Sequence, residues 1–142
     1  MKIIYDPVEL EGTCYFEILP GQYLGKCWNE NSIFLEEEVF GYLEPSIQKA
    51  FSEFDHNGFH SIDIDIWNKI ILNFEEVKHL LLHESEIDQI DKYIGFIYQN
   101  SKMNFVEKFA ENSKNLIKLI DELIIWINQT SKEYEQISIL GI

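Results

Sequence analysis

The chain has 142 residues, with 25 carboxylates against 11 lysines, no arginine, a formal charge of −14 and 46% apolar residues. That length suits one domain burying roughly two-thirds of its unfolded surface, and the apolar content, with 14% aromatics, excludes intrinsic disorder. The charge and the missing arginine argue against nucleic acid and anionic membranes as partners and favour basic proteins.

The N-terminal MKIIYDPVEL meets Asp6 and Glu9 before any apolar run of signal-peptide length. The longest greasy segment, LIKLIDELIIWI, carries Lys118, Asp121 and Glu122 and is too short to span a bilayer. Two cysteines do not make a disulfide framework, so the expectation is a reduced, cytoplasmic protein.

Strand character opens the chain in KIIY, TCYFEIL and YLGKCW. Pro20-Gly21 between the last two predicts a hairpin. A two-residue turn would set Cys14 opposite Cys27 and Phe16 over Gly25, whereas a longer loop would shift that register. In either case the cysteines read as small, half-buried strand residues, with a cytosolic disulfide or redox pair as the alternative. SIFL is a further strand candidate. Glu36, Glu37 and Glu38 then suit the first turn of a helix, where carboxylates complement the dipole. Pro45 suits the start of a second short helix, while Gly41 weakens the first.

Residues 54–67, FDHNGFHSIDIDIW, gather two histidines and three aspartates. Asp55, Asn57 and Gly58 begin like a calcium loop, but the glycine comes two positions early and Ile66 stands where a bidentate glutamate is needed. His56 and His60 have zinc-helix spacing, yet Asn57-Gly58 between them is turn chemistry. SIDIDI alternates as a half-buried strand, which would project Asp63 and Asp65 from one side. Alternatively, Asp65 caps the helix beginning at Trp67.

From Trp67 onward helix dominates, with Ile70, Phe74, Val77 and Leu81 on one face. A second helix is expected from a Ser85 cap through Ile87, Ile90, Ile94 and Ile97, and a third over about 103–129, with a break near residue 112. The tail ISILGI is β-like. No repeat or linker divides the chain, so residues 1–142 read as a single domain. Early strands and late helices predict an α+β fold: a single two-layer domain whose N-terminal, mainly antiparallel sheet packs against C-terminal helices.

No nucleophile elbow, Cys-x-x-Cys pair or phosphate-cradling glycine loop supports catalysis, and nothing calls for a cofactor. What remains is an acidic surface interleaved with aromatics: Tyr23, Trp28, Phe34, Phe40, Tyr42, Phe54, Phe59 and Trp67, of which at least half are expected in the core. Aromatic anchors ringed by carboxylates suit a binder of basic proteins. The candidate partner-binding set is Trp28, Glu30, Glu36, Glu37, Glu38, Asp55, His56, His60, Asp63 and Asp65.

The run SIFLEEEVFGYLEPSIQKAFSEFDHNGFHSIDIDIW, after YFEILPGQYLGKCW, resembles the N-terminal half of small acidic immunity proteins of bacterial polymorphic-toxin and contact-dependent growth inhibition systems. The resemblance implies a non-enzymatic cytoplasmic protein, monomeric within a one-to-one complex, that covers the active site or substrate surface of a cognate toxin's C-terminal domain. Many such toxins are nucleases, whose clefts are basic. Two other readings remain open: a small enzyme using carboxylates with His56 or His60, and an adaptor self-associating through a strand such as IDIDI or ISILGI.

Overall fold

The structure, a computed structural model, describes residues 1–83 and 87–142. After a 3-10 turn at Pro7–Glu9 the elements run β1 (Tyr15–Pro20), β2 (Ile33–Glu36), α1 (Glu37–Gly41), α2 (Glu44–Ala50), β3 (Phe59–Asp63) and α3 (Ile64–His83). A 3-10 helix (Ile87–Lys92), α4 (Ser101–Glu107), α5 (Phe109–Thr130) and β4 (Gln136–Leu140) complete the chain. The sheet order is β2-β1-β4-β3 and every pair is antiparallel. This is the expected α+β class, with the tail ISIL as an inner strand.

Alternation along each strand gives the sheet two different faces. Phe16, Ile18, Ile33, Leu35, Ile62, Ile137 and Ile139 join the main core, against Trp67, Ile70, Phe74, Val77 and Leu81 of α3 and Leu116, Leu119, Ile120, Leu123 and Ile127 of α5. Each such side chain contributes about 1.5–3 kcal/mol of burial. The Trp67 indole N–H donates to the Ile137 carbonyl at 3.0 Å, tying α3 to the sheet. Phe34, Leu140 and Ile4 are buried outside that core, and Phe34 and Leu140 both lie opposite Glu17 in the ladder.

The Pro20-Gly21 hairpin is corrected. β1 pairs instead with SIFL, Tyr15 opposite Glu36 and Ile18 opposite Ile33, so Cys14 does not face Cys27 and Phe16 lies opposite Leu35 rather than over Gly25. Both cysteines are free thiols, Cys14 exposed and Cys27 half-buried. Backbone parity supplies the reason. Even-numbered residues of β1 bond toward β2, as Cys14 accepts from Glu37 N–H at 3.2 Å, and odd-numbered ones toward β4, as Gly21 donates to Gln136 at 2.9 Å. Pro20 has no N–H to extend the β2 ladder. Residues 21–32 leave the end of β1, an inner strand, and cross the second face of the sheet.

Other expectations shift as well. KIIY contributes only a bridge, Ile4 with Phe34. Glu36 ends β2, leaving Glu37 and Glu38 in the first turn of α1. β3 stops at Asp63 and α3 starts at Ile64, so Asp65 lies in the first helical turn instead of projecting beside Asp63 from a strand. The segment expected as a helix to Ile97 is a short 3-10 helix with Ile90 and Ile94 buried; Ser85 and the Ile87 side chain lie outside the described residues. Gly95 explains the chain's course there: a Cβ on it would run into the Gly41 carbonyl, and one on Gly41 would run into Ile97. The glycine that weakened α1 as a helix former is what admits this close approach. The last helical region breaks at Lys108, not near residue 112.

Candidate functional site

The ten candidate residues separate into two ends of the sheet and the loop across it. Tyr15 pairs with Glu36, and Phe59 and Glu17 pair with Leu140, so Glu36, the first turn of α1 and the 55–60 turn share one end. Asp63 pairs with Gln136 at the opposite end, where it lines a cavity of about 410 Å³ with Asp65, Glu135 and Tyr134. Glu30 belongs to that opposite end too, just before β2, and Trp28 lies in the crossing loop. Asp63 and Asp65 therefore do not share a surface with Glu36, Glu37, Glu38, Asp55 and His56.

At the first end the turn after α2 is built by Asp55. Its carboxylate accepts the Asn57 N–H at 3.0 Å and its carbonyl accepts the Gly58 N–H at 2.9 Å, the side-chain and backbone turn bonds that Asp-x-Asn-Gly stretches favour. His60 folds back over this turn. Its Nε2 accepts the Asp55 N–H at 3.0 Å and its ring packs on Phe51 and Phe54, so it holds the turn and is not a free surface group.

His56 points the other way, into a cluster that the sequence showed only in part. Its Nε2 lies 3.2 Å from Glu37, its Nδ1 is bonded to Glu44, and its ring meets core residue Phe16 edge-on at 4.9 Å. Tyr98 closes the cluster, its O–H donating to the other oxygen of Glu37 at 2.5 Å. Burial pulls the His56 pKa down, but the hydrogen bonds and charges of Glu44 and Glu37 outweigh it and leave the imidazole above its ordinary value. The hydrogen bond to Glu37, followed by burial, raises the Tyr98 phenol. Nearby, burial first and then Glu38 push Tyr42 up to about 12.

Across the second face of the sheet, Glu17 organises the 21–32 loop. Its Oε1 accepts the Asn29 N–H at 2.9 Å, the Asn29 side-chain amide at 2.8 Å and the Ser32 hydroxyl at 2.6 Å, and its Oε2 accepts the Trp28 N–H at 2.6 Å. The loop's other end is fixed by Ser61, which accepts the Tyr23 N–H at 3.1 Å and touches Ser138, whose hydroxyl donates to the Gly21 carbonyl at 2.7 Å. Trp28 sits at φ 63, the one non-glycine residue at positive φ among those described. For so bulky a residue that conformation costs about 1–3 kcal/mol and persists only where neighbours enforce it. Its indole stacks on Phe34 at 5.7 Å, and Phe59 is met edge-on by Tyr23 at 4.9 Å. Of the eight aromatics, Phe40, Tyr42, Phe54 and Trp67 belong to the main core, Phe34 is buried on the second face, Tyr23 is half-buried, and Trp28 and Phe59 are exposed.

The ion pairs fall unevenly. Lys78 bridges Glu75 and Asp121, Lys102 bridges Asp91 and Lys118 approaches Glu122, all in the helical second half. Residues 27–68 hold Glu30, Glu36, Glu37, Glu38, Glu44, Glu53, Asp55, Asp63 and Asp65 but only one lysine, Lys49, and that lysine pairs with Glu76 on α3. Among the described residues, no lysine pairs with any carboxylate of this segment.

Sequence reasoning missed Glu44, Tyr98 and Glu17. Glu44 is legible only as the residue before Pro45 in a helix start, and Tyr98 carries no local signal, being far along the chain from its partner. Glu17 had one: a lone acid between Phe16 and Ile18 in an otherwise apolar strand. Among the described residues no group of three or more His, Cys, Asp or Glu side chains is arranged to hold a metal ion, and no helix is long and apolar enough to cross a membrane. No protein-family model matches this chain, and neither a curated protein nor a solved structure matches it significantly.

Proposed function

We propose that this chain is an immunity-type inhibitor: a non-enzymatic protein that binds a cognate bacterial toxin domain with a basic surface, most simply a nuclease, and covers its active site or substrate cleft. The observation that carries the reading is the carboxylate-rich 27–68 segment, whose single lysine is committed elsewhere. Of these carboxylates, Glu36, Glu37, Glu38 and Asp55 share one end of the sheet; like charge gathered there destabilises the fold through self-repulsion, and a basic partner would relieve it. The end bearing Glu36, Glu37, Glu38, Asp55 and His56 is the docking surface in this reading. Electrostatic steering there would raise association to about 10⁸ M⁻¹s⁻¹ or more at low salt. Both ring nitrogens of His56 are engaged by carboxylates, which suits a charge-presenting role better than proton transfer to a substrate.

The test is co-expression with the neighbouring gene's product, followed by pull-down, growth rescue and association kinetics against salt. The expected result is a one-to-one complex whose association slows as salt rises, and slows at least tenfold in a Glu36→Lys, Asp55→Lys double variant at low salt. Absence of association at low ionic strength, or toxicity that persists on co-expression, would sink the proposal.

A further inference from the structure

Among the described residues Glu17 is the only buried charged side chain, 3% exposed, and no lysine or histidine lies within ion-pair distance of it. Its hydrogen-bond donors are all neutral: two backbone amides, an asparagine amide and a serine hydroxyl. The negative charge is solvated within the protein but meets no opposite charge. Glu17 also lines a cavity of about 330 Å³ on the second face of the sheet, together with Tyr15, Trp28, Leu140 and Ile142. That size is at the small end of ligand sites, room for a side chain but not for a large cofactor.

Trp28 gives this cavity its wall. One face of the indole stacks on Phe34, yet the residue remains 40% exposed and lines the cavity, so the ring is not fully covered by its neighbours. The backbone that presents it is held in the left-handed region by the very carboxylate that lacks a counter-ion. Strained backbone is retained where its surroundings over-determine it, and such positions cluster at sites of recognition. An aromatic face, an uncompensated carboxylate beside it and an apolar floor at Leu140 together describe the environment of a bound cation.

We infer that this cavity is an anchor pocket for an arginine side chain of the partner protein, with the guanidinium stacked on Trp28 in the field of Glu17. The inference rests on the reading of the chain as a binder of a basic protein and adds where and how one residue of that protein is gripped. Arginine fits better than lysine because a planar, weakly hydrated guanidinium stacks on indole and tolerates partial desolvation, whereas an ammonium gives up its water less readily. The carboxylate acts through its charge, since its oxygens already accept four hydrogen bonds.

The test needs no toxin. The full chain is titrated with N-acetyl-arginine methylamide, and in parallel with its citrulline, lysine and norleucine counterparts, while amide and indole N–H signals are followed by NMR. Arginine is expected to give saturable shifts at Trp28 and Tyr15, binding at least tenfold tighter than the neutral, isosteric citrulline and tighter than lysine. Glu17→Gln should bring arginine down to the citrulline level, and Trp28→Leu should remove the saturable shifts while leaving the core spectrum intact. If Glu17→Gln disorders the loop, the arginine-to-citrulline ratio on the unaltered protein still decides. Equal binding of arginine and citrulline, a preference for lysine or norleucine, or shifts confined to the Glu36–Asp55 end would overturn the assignment. A failed pocket beside a partner that still binds would confine docking to the acidic end. A working pocket beside a failed pull-down would overturn the immunity reading alone.

Discussion

Replacing Glu17 by glutamine keeps the shape of the side chain and changes what its two terminal atoms can do. The oxygen that accepts Asn29 twice and Ser32 once can remain an acceptor, so the amide nitrogen must take the place of Oε2 and face the Trp28 N–H, donor against donor. Losing that charge-assisted bond costs about 1.5–3 kcal/mol. The three remaining bonds fall from charge-assisted to neutral, roughly halving their strength, which adds about 1–2 kcal/mol. Relaxation of Trp28 out of the left-handed region returns about 1 kcal/mol. The net loss is about 1.5–4 kcal/mol, a large share of the 5–15 kcal/mol typical of a domain but not enough to unfold it. Urea unfolding measures that loss, and tryptic cleavage after the exposed Lys26 reports opening of the loop alone. Cleavage at Lys26 should accelerate more than global unfolding does. A loss below about 0.5 kcal/mol with Lys26 cleavage unchanged would refute the claim that Glu17 holds the loop.

Two further predictions concern the His56 cluster and the glycine contact. Glu44 and Glu37 hold the His56 pKa above its unfolded value near 6.5. Its stabilisation is therefore fully present below that value and is lost as pH rises through the raised folded pKa. The stability difference between the parent and His56→Gln, measured by urea unfolding from pH 5 to 9, should shrink toward the alkaline end; a difference independent of pH would contradict the clamp. Gly95→Ala drives a methyl group into the Gly41 carbonyl, a backbone atom that cannot rotate away, and should cost about 1–3 kcal/mol in thermal or urea unfolding.

Legibility in the sequence followed how local the cause was. Ile70, Phe74, Val77 and Leu81 all face the core as their spacing predicts, because a long amphipathic helix writes its burial into its own period. The hairpin failed for a reason spread over distant residues: Pro20 withholds a hydrogen bond from β2, and Glu17 draws Trp28, Asn29 and Ser32 across the sheet. Neither ISIL as an inner strand nor Tyr98 on Glu37 has any local sign, since both contacts join residues far apart along the chain. The sequence treated FDHNGFHSIDIDIW as one feature, whereas folding gives its parts separate jobs. His60 holds the turn, His56 joins Glu37 and Glu44, and Asp63 accepts the Gln136 amide at 2.7 Å at the far end of the strand.

The use of histidine rather than lysine at the acidic end bears on how that end would work as the proposed docking surface. A lysine between Glu37 and Glu44 would neutralise one carboxylate permanently, as Lys78 does between Glu75 and Asp121 on the helical side. His56 ties the same two carboxylates to the turn after α2, but carries a charge only on the acid side of its raised pKa. Above it the cluster holds two net negative charges, below it one. The geometry that α1, α2 and the turn require is thus obtained with the least neutralisation, and around it the exposed Glu36 and Asp55 and the half-buried Glu38 have no lysine partner among the described residues. A fold concerned with stability alone would gain by placing a lysine there. Leaving the charge in place is what a surface that must attract a basic partner across several ångströms of water requires.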